Sequence, residues 1–552
     1  MEKSRWSAIL LTAVLAASPL TGCSGTPSTP ESKPESTPST VSSADQPASA
    51  GDGYAWEKNK GTPVKLSVYY PDPGSAWETW GKDPTSKRLE EMTGISFTVV
   101  APVTSDDQKL SLMIASDELP DLILNYYNEP TWGDMVNNKQ LADMEVLTDK
   151  YAPKLKELIS PTAWEYARRD DGKVYNVTTW IRSPEQQKWV TDNHVIIGTN
   201  QPVIQMRQDY FKEIGSPEIK NADEFMAAME QVKAKHPDAI AFYGGDGSFL
   251  KGPGPMSTHF GIGSFYEKDG VVSQSYRNPK YLEMYKWMNK MASKGLLTKE
   301  SFVDTTDVSV GKTKQGLPAA YTWTVGETGK VPANNPNTSY QPMKAWDSYK
   351  QIRMNAGYFS FAVAAKSKNQ ERVMNWIEFI NTEEGAKAST WGIEGEAYGD
   401  VENGPHFRYI NGEPKFFKEF LDAKIADWSG TCRKSGLDSF RECMVNDVMG
   451  DKVAWDSSDP LIGKMNEWYG DKVEYQDQFI FNVPSGSEEM VVNQKIKDLI
   501  KEYNVKWVFA KDETEVTSLY NEFIAKVESA GEATLNKLYT VQWTANKARL
   551  GI

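Results

Sequence analysis

The sequence predicts an α/β protein of at least two units, and three observations carry that prediction. Strand-like alternation and helix-like apolar stripes follow one another from about residue 62. A second run of the same kind begins near residue 200. The chain of 552 residues is too long for one ordinary domain, yet its 39 % hydrophobic and 25 % charged residues are ordinary globular composition.

Taken in order, Val64, Leu66, Val68 and Tyr70 alternate as a strand. Pro84 to Met92 reads as a helix stopped at Gly94. Ile95, Phe97 and Val99 alternate again, and Ser105 with Gln108 reads as a capping box opening a helix with Leu110, Met113 and Ile114 on one face. Leu119 to Leu124 is a turn into a short buried strand. Strand, helix, strand, helix, strand implies a largely parallel sheet. In the second unit, Pro202 to Met206 is a strand, and Asn221 with Glu224 caps a helix running to His236. Ala239 to Tyr243 is a strand, and Asn278-Pro279 opens a helix that Gly295 closes. Residues 304–350 read as loop-rich. Phe359 to Ala364 is a strand, and Asn369 to Ile380 is a helix with Val373, Trp376, Ile377 and Ile380 on one face. Two amphipathic helices are expected near 488–503 and 514–529.

Ahead of these lies a different kind of chain. Lys3 and Arg5 precede an apolar run from Ile9 to Ala17, too short to span a bilayer as a mature helix. Leu20-Thr21-Gly22-Cys23 follows and resembles the lipobox of bacterial lipoproteins. That resemblance implies a signal peptide over 1–22 and acyl chains on Cys23 as the only membrane anchor. Residues 24–50 hold five Pro, eight Ser and four Thr with no aromatic, so they cannot bury enough apolar surface to offset their ordering entropy. The stretch 23–58 is expected to be a tether.

Charge and motifs narrow the function. Seventy-five acidic against 61 basic residues make a net charge of −14, which argues against a nucleic-acid partner. No second long apolar run is present. The chain has no G-x-S-x-G, H-E-x-x-H or EF-hand pattern. Gly311-Lys312-Thr313 lacks the first glycine of a phosphate loop, because Thr306 occupies that place. Glu394 and Glu396 are two carboxylates of the kind a glycosidase uses, though two acids two residues apart more often mark a solvated loop. Four scattered histidines and three cysteines offer no zinc site. With Cys23 lipidated, Cys432 and Cys443 form an even pair outside the cell, expected to close a disulfide, with two free thiols as the alternative.

Several local patterns together resemble extracellular solute-binding proteins of bacterial ABC importers. Leu112 to Ile123 (LMIASDELPDLI) resembles their helix end and Pro-Asp strand start. Asp171 to Tyr175 resembles their Asp-Gly-Lys turn. Arg207 to Phe225 resembles their R-x-D segment with a capped helix, and Ala365 to Gly385 with Gly392 to Tyr398 resembles their late helix and G-I-E-G loop. The similarity covers most of 62–400 and extends to a large lipoprotein subfamily linked mostly to oligosaccharide import. It implies a two-lobed periplasmic-binding-protein-like fold with the ligand in the cleft. Lobe 1 would span 59–200 with 353–400 returning to it. Lobe 2 would span 201–352, with parts of 401–552 packed on it. It also implies capture of an oligosaccharide and delivery to permease subunits, by a monomer without enzymatic activity or cofactor. The calcium loop of some relatives needs more Asp and Asn than Arg168 to Tyr175 carries, so no metal is expected.

Sugars offer apolar faces to aromatic rings and hydroxyls to polar side chains. Loops that follow strands are where such ligands sit in open α/β sheets. The candidates chosen on that basis are Trp77, Trp80, Asn125, Tyr127, Glu129, Trp132, Trp180, Arg182, Asp246, Trp323, Tyr358, Trp391 and Glu394. At least three of Trp77, Trp132, Trp180, Trp323 and Trp391 are expected to line one cleft. The competing readings are a surface-anchored polysaccharide-active enzyme and a sugar-binding surface lipoprotein outside transport.

Overall fold

The computed structural model describes residues 53–72, 75–103, 108–127, 129–169, 171–193, 202–244, 255–304, 306–324, 340–354, 357–426, 428–437, 439–445, 460–484, 486–550 and 552. The lipobox with Cys23, most of the tether and Asp246 lie outside them. Residues 48–552 form one compact unit.

Two sheets carry that unit, each with its own hydrophobic core. The first has the order β2-β1-β3-β12-β4, from β1 (Val64–Tyr69), β2 (Ile95–Val100), β3 (Leu122–Tyr126), β4 (Val177–Thr178) and β12 (Phe359–Val363). β1 is parallel to β2 and β3, because the helices Pro84–Thr93 and Lys109–Ser116 supply the crossovers that parallel pairing needs. Asp83 caps the first of these helices, and Gly94 ends it in the left-handed region at φ 69°. The expected capping box of the second falls at Ser105 on residues outside those described, and Gln108 itself holds the N-cap position without a side-chain cap bond. β12 enters the sheet from the opposite end and runs antiparallel to β3 and β4, so the sheet is mixed.

The second sheet has the order β10-β5-β9-β6, from β5 (Pro202–Arg207), β6 (Ile240–Tyr243), β9 (Pro318–Thr324) and β10 (Tyr340–Pro342). Three small pairs complete the set: β7 (Phe265–Lys268) with β8 (Val271–Gln274), β11 (Gln351–Arg353) with β15 (Val473–Tyr475), and β13 (Phe407–Ile410) with β14 (Glu413–Phe416). The loop-rich reading of 304–350 is corrected here. That stretch holds the helix Thr306–Lys314 and two sheet strands, β9 being a central one. Its Ala-Ala-Tyr-Thr run is buried on both faces, so it shows no alternation to detect.

Core membership shows how the chain divides. Leu66, Val68, Leu124, Phe361, Trp376 and Ile380 belong to the first core, as do Phe407, Phe420, Phe440 and Met444. The return to this core therefore continues through Val445, past residue 400. The second core holds Ile204, Phe225, Met288 and Ala320, together with Ile496, Trp507, Phe523 and Leu535. The C-terminal helices number three, Glu488–Val508, Glu513–Ser529 and Glu532–Leu550. The third escapes a periodicity reading because polar residues surround its buried Leu535 and Tyr539. At the other end, Ala55–Asn59 is already helical with Trp56 buried, its amide donating to Glu378 Oε2 at 3.0 Å. The folded body thus starts inside the expected tether. Among the described residues no helix is long and apolar enough to cross a membrane.

Candidate functional site

The carboxyl ends of β1 and β3 and the start of β12 meet at one edge of the first sheet, because Phe359 stands opposite Tyr126 in the antiparallel pairing. The residues just beyond these ends are aromatic and acidic. Tyr126 stacks on Phe359 at 5.2 Å between centroids and meets Tyr358 edge-on at 5.0 Å. Its hydroxyl donates to Asp72, which follows β1. Trp180, just after β4, lies nearly parallel to Tyr358, with centroids 6.4 Å apart and planes 11° apart. Tyr126, Tyr358 and Trp180 make a row of rings, and Tyr358 at its centre is 51 % exposed. Tyr127 joins through its amide, which donates to the Tyr358 carbonyl at 3.2 Å. Burial raises the tyrosine pKa values of Tyr126, Tyr127 and Tyr358, and the bond to Asp72 adds to the effect at Tyr126.

Trp180 holds an unusual backbone, φ 57°, in the left-handed region that bulky side chains rarely occupy. Such strain persists where the surroundings over-determine it. Here the Trp180 amide donates to the Met444 carbonyl at 3.2 Å, and the Arg441 guanidinium sits 5.9 Å from the ring centroid. The indole N–H is buried without a hydrogen-bond partner among the described residues. Gly357 lets β12 approach this corner, since a Cβ there would lie 2.0 Å from the Thr179 carbonyl oxygen.

Glu442 follows Arg441 in the chain. It is buried, and its carboxylate accepts from Tyr70 Oη at 3.1 Å and from Trp77 Nε1 at 3.0 Å. Desolvation is the largest influence on it and pushes its pKa up to about 7, against the opposing pull of these donors and of Arg441.

The predicted residues separate into two groups. Trp180, Tyr358 and Tyr127 come together at the sheet edge. Trp77, Trp132 and Trp391 do not line a cleft: each is buried in the core, which overturns the expectation for three of the five tryptophans. Trp77 packs against Phe97 and Phe440, Trp132 donates its indole N–H to the Tyr126 carbonyl at 2.8 Å, and Trp391 packs on Phe416 at 4.4 Å. Trp80 packs in the same aromatic cluster as Trp77. Asn125 is buried, its amide group occupied by Thr131 Oγ1 and the Tyr126 amide. Arg182 is buried close to Trp180 in sequence, and Glu129 is half-buried beside the Thr131–Asn137 helix. Trp323 stands opposite Val203 in the second sheet, and its side chain is not among those described. Glu394 is exposed on a loop and pairs with Lys387 at 3.1 Å. Cys432 and Cys443 are both buried free thiols, so the expected disulfide is corrected. Gly311-Lys312-Thr313 lies on a helix, with Lys312 paired to Asp304 at 2.5 Å, which leaves no phosphate loop. Among the described residues no group of His, Cys, Asp and Glu could hold a metal ion.

Residues 85–395, more than half of the chain, match the family described as bacterial extracellular solute-binding protein. The chain belongs to that family. This solute-binding protein is 25 % identical over 346 residues to the fructooligosaccharide ABC transporter substrate-binding protein FusA of Streptococcus pneumoniae. The match covers 57 % of the chain and spans only 61 % of that relative's length. Its fold is shared with solved structures at low identity. The alginate-binding protein AlgQ2 superposes with a TM-score of 0.64 at 16 % identity, covering 87 % of this chain and 98 % of that one. FusA in complex with kestose superposes with a TM-score of 0.64 at 20 % identity, covering 88 % and 100 %. An ABC-transporter-associated solute-binding protein of Bifidobacterium longum infantis described as HMO-binding reaches 0.62 at 14 %, covering 87 % and 99 %.

Sequence reasoning missed Tyr126, Asp72, Arg441 and Glu442. Tyr126 was open to detection, because it ends β3 and directly precedes the chosen Tyr127. Glu442 stands 372 residues from Tyr70 along the chain, and no local pattern announces such a pairing.

Proposed function

We propose that this solute-binding protein captures an oligosaccharide outside the cell and delivers it to the permease of an ABC importer. The row of Tyr126, Tyr358 and Trp180 with Asp72 at its side carries the reading. Flat rings cover the apolar faces of a pyranose or furanose, and a carboxylate accepts from its hydroxyls. The row stands at the carboxyl edge of the sheet, where open α/β folds place their ligands. The family membership and the sugars named for its relatives support the same choice. A ligand that touches both lobes would shift the open–closed balance by its differential affinity and so signal occupancy to the permease. On this reading Cys23 is the lipidated first residue of a monomeric, membrane-anchored protein. The anchor and the tether keep it at the outer face of the membrane, and the sugar leaves unaltered.

The test uses the protein from residue 54 onward. Thermal midpoint and tryptophan fluorescence are recorded against kestose, alginate oligosaccharides, milk-type oligosaccharides and plant-wall oligosaccharides, with the sugars analysed afterwards. Saturation at 100 times the dissociation constant stabilises by about 2.7 kcal/mol. A raised midpoint with intact sugar is the expected result. Cleaved sugar would replace the transport reading by an enzyme, and no response to any sugar would remove the oligosaccharide.

A further inference from the structure

The segment Arg441–Val445 is held from below and presents its upper side to Trp180. Glu442 points inward, where Tyr70 Oη and Trp77 Nε1 donate to its two carboxylate oxygens at 3.1 and 3.0 Å. Asn381 grips the far end, donating to the Cys443 carbonyl at 2.8 Å and accepting from the Val445 amide at 2.7 Å. A turn closes between them, with the Met444 amide donating to the Arg441 carbonyl at 2.8 Å. That turn aims two groups at Trp180: the Met444 carbonyl, which accepts its amide, and the Arg441 guanidinium over its ring. The first acts on a left-handed backbone that a tryptophan rarely adopts, and the second covers its ring.

We propose that Glu442 is a positioning residue, which fixes the Arg441–Val445 strap and through it the ring of Trp180 at the sugar site. Its consequence for sugar affinity rests on the oligosaccharide reading, whereas its hold on Trp180 does not. The design separates roles between neighbours in sequence: Glu442 binds the core, Arg441 and Met444 bind the site. A buried carboxylate suits the task, since its two oxygens reach two different elements at once, β1's continuation at Tyr70 and the turn at Trp77. Glutamine can do the same, accepting from Trp77 through its oxygen and donating to the Tyr70 hydroxyl through its amide. Alanine can do neither.

The test compares wild type, Glu442→Gln, Glu442→Ala and Leu437→Ala, each with and without Trp180→Phe, in the protein from residue 54. Leu437 is buried in the same core, so its truncation reports plain loss of stability. Acrylamide quenching is read in the fully folded range, and the difference made by Trp180→Phe isolates Trp180 from the other tryptophans. In Glu442→Ala that difference rises about twofold, as a half-covered ring becomes open. Glu442→Gln and Leu437→Ala leave it as in wild type. Kestose affinity is the second readout. With Trp180→Ala and the Glu442→Ala/Trp180→Ala double variant added to the set, Glu442→Ala and Trp180→Ala each weaken it by about tenfold, and the double variant is no weaker than either single, the sign that both act through one group. An unchanged Trp180 difference in Glu442→Ala, or an equal rise in Leu437→Ala, overturns the proposal. Absence of kestose binding by wild type would count against that sugar alone, with the quenching result still deciding the role of Glu442.

Discussion

Replacing Glu442 by glutamine changes how the protein's stability depends on pH, and the structure supplies both the sign and the size. The Glu442 carboxyl is buried, and desolvation moves its pKa from the ordinary 4.5 to about 7. In the unfolded chain the group ionises first, so the folded state holds the proton more tightly. The contribution of the protonated form to stability is therefore complete below about pH 4.5 and is lost as pH rises through about 7. At about 1.36 kcal/mol per pKa unit, the full displacement is worth about 3 kcal/mol, of which about 2.5 falls between pH 5 and pH 8. Glutamine has no proton to lose. Urea unfolding of wild type and Glu442→Gln at pH 5, 6, 7 and 8 should show the variant gaining on wild type by about that amount across the series. The difference between the two proteins cancels every other titrating group, among them the buried Glu378 and Asp83, whose pKa values burial also raises. A flat difference from pH 5 to 8 would refute the reasoning. It would mean that Tyr70, Trp77 and Arg441 together compensate for the lost hydration of the carboxylate.

The remaining predictions concern the site and the core around it. Tyr358→Ala should weaken oligosaccharide binding by about 1 kcal/mol, roughly fivefold, in titration calorimetry. Because the side chain is 51 % exposed, its thermal midpoint should hardly move. Trp391→Ala should do the reverse: a loss of about 3–5 kcal/mol in urea unfolding, from a ring buried against Phe407 and Phe416. Cys432 and Cys443 should both react with a thiol reagent after denaturation without reductant, as mass spectrometry would read, and reductant should leave the midpoint in place.

Much of the architecture was open to a reading of residues alone. The alternation at Val64 to Tyr70 and Ile95 to Val99 marked β1 and β2, and Asn221, Asn278 and Gly94 marked helix ends that the structure retains. These signals are local: a strand half-buried on one face, or a cap closing its own first turn, needs no distant partner. Elements buried on every side were harder. β9 sits inside its sheet, and the last helix carries too few apolar positions to announce a face.

The candidate site divides along the same line. Choosing Tyr127 after a strand end, Trp180 after the Asp-Gly-Lys turn and Tyr358 just before a strand was legible, because loops at a sheet's edge follow from topology. Which tryptophans face outward was not. Trp77, Trp132 and Trp391 also follow or precede elements, yet each is buried, and two of them are covered by later segments of the chain: Phe440 over Trp77, and Phe416 over Trp391. The sequence by itself therefore determined the α/β class, the family resemblance, several capped helix ends and the aromatic stock near the sheet edge. Only the tertiary structure decided that β12 returns antiparallel, that residues 407–445 complete the first core, and that Glu442 lies under Tyr70 and Trp77. The reason is physical: periodicity and capping act over a turn or a strand, whereas burial of a charge or a ring is set by whichever distant segment arrives to cover it.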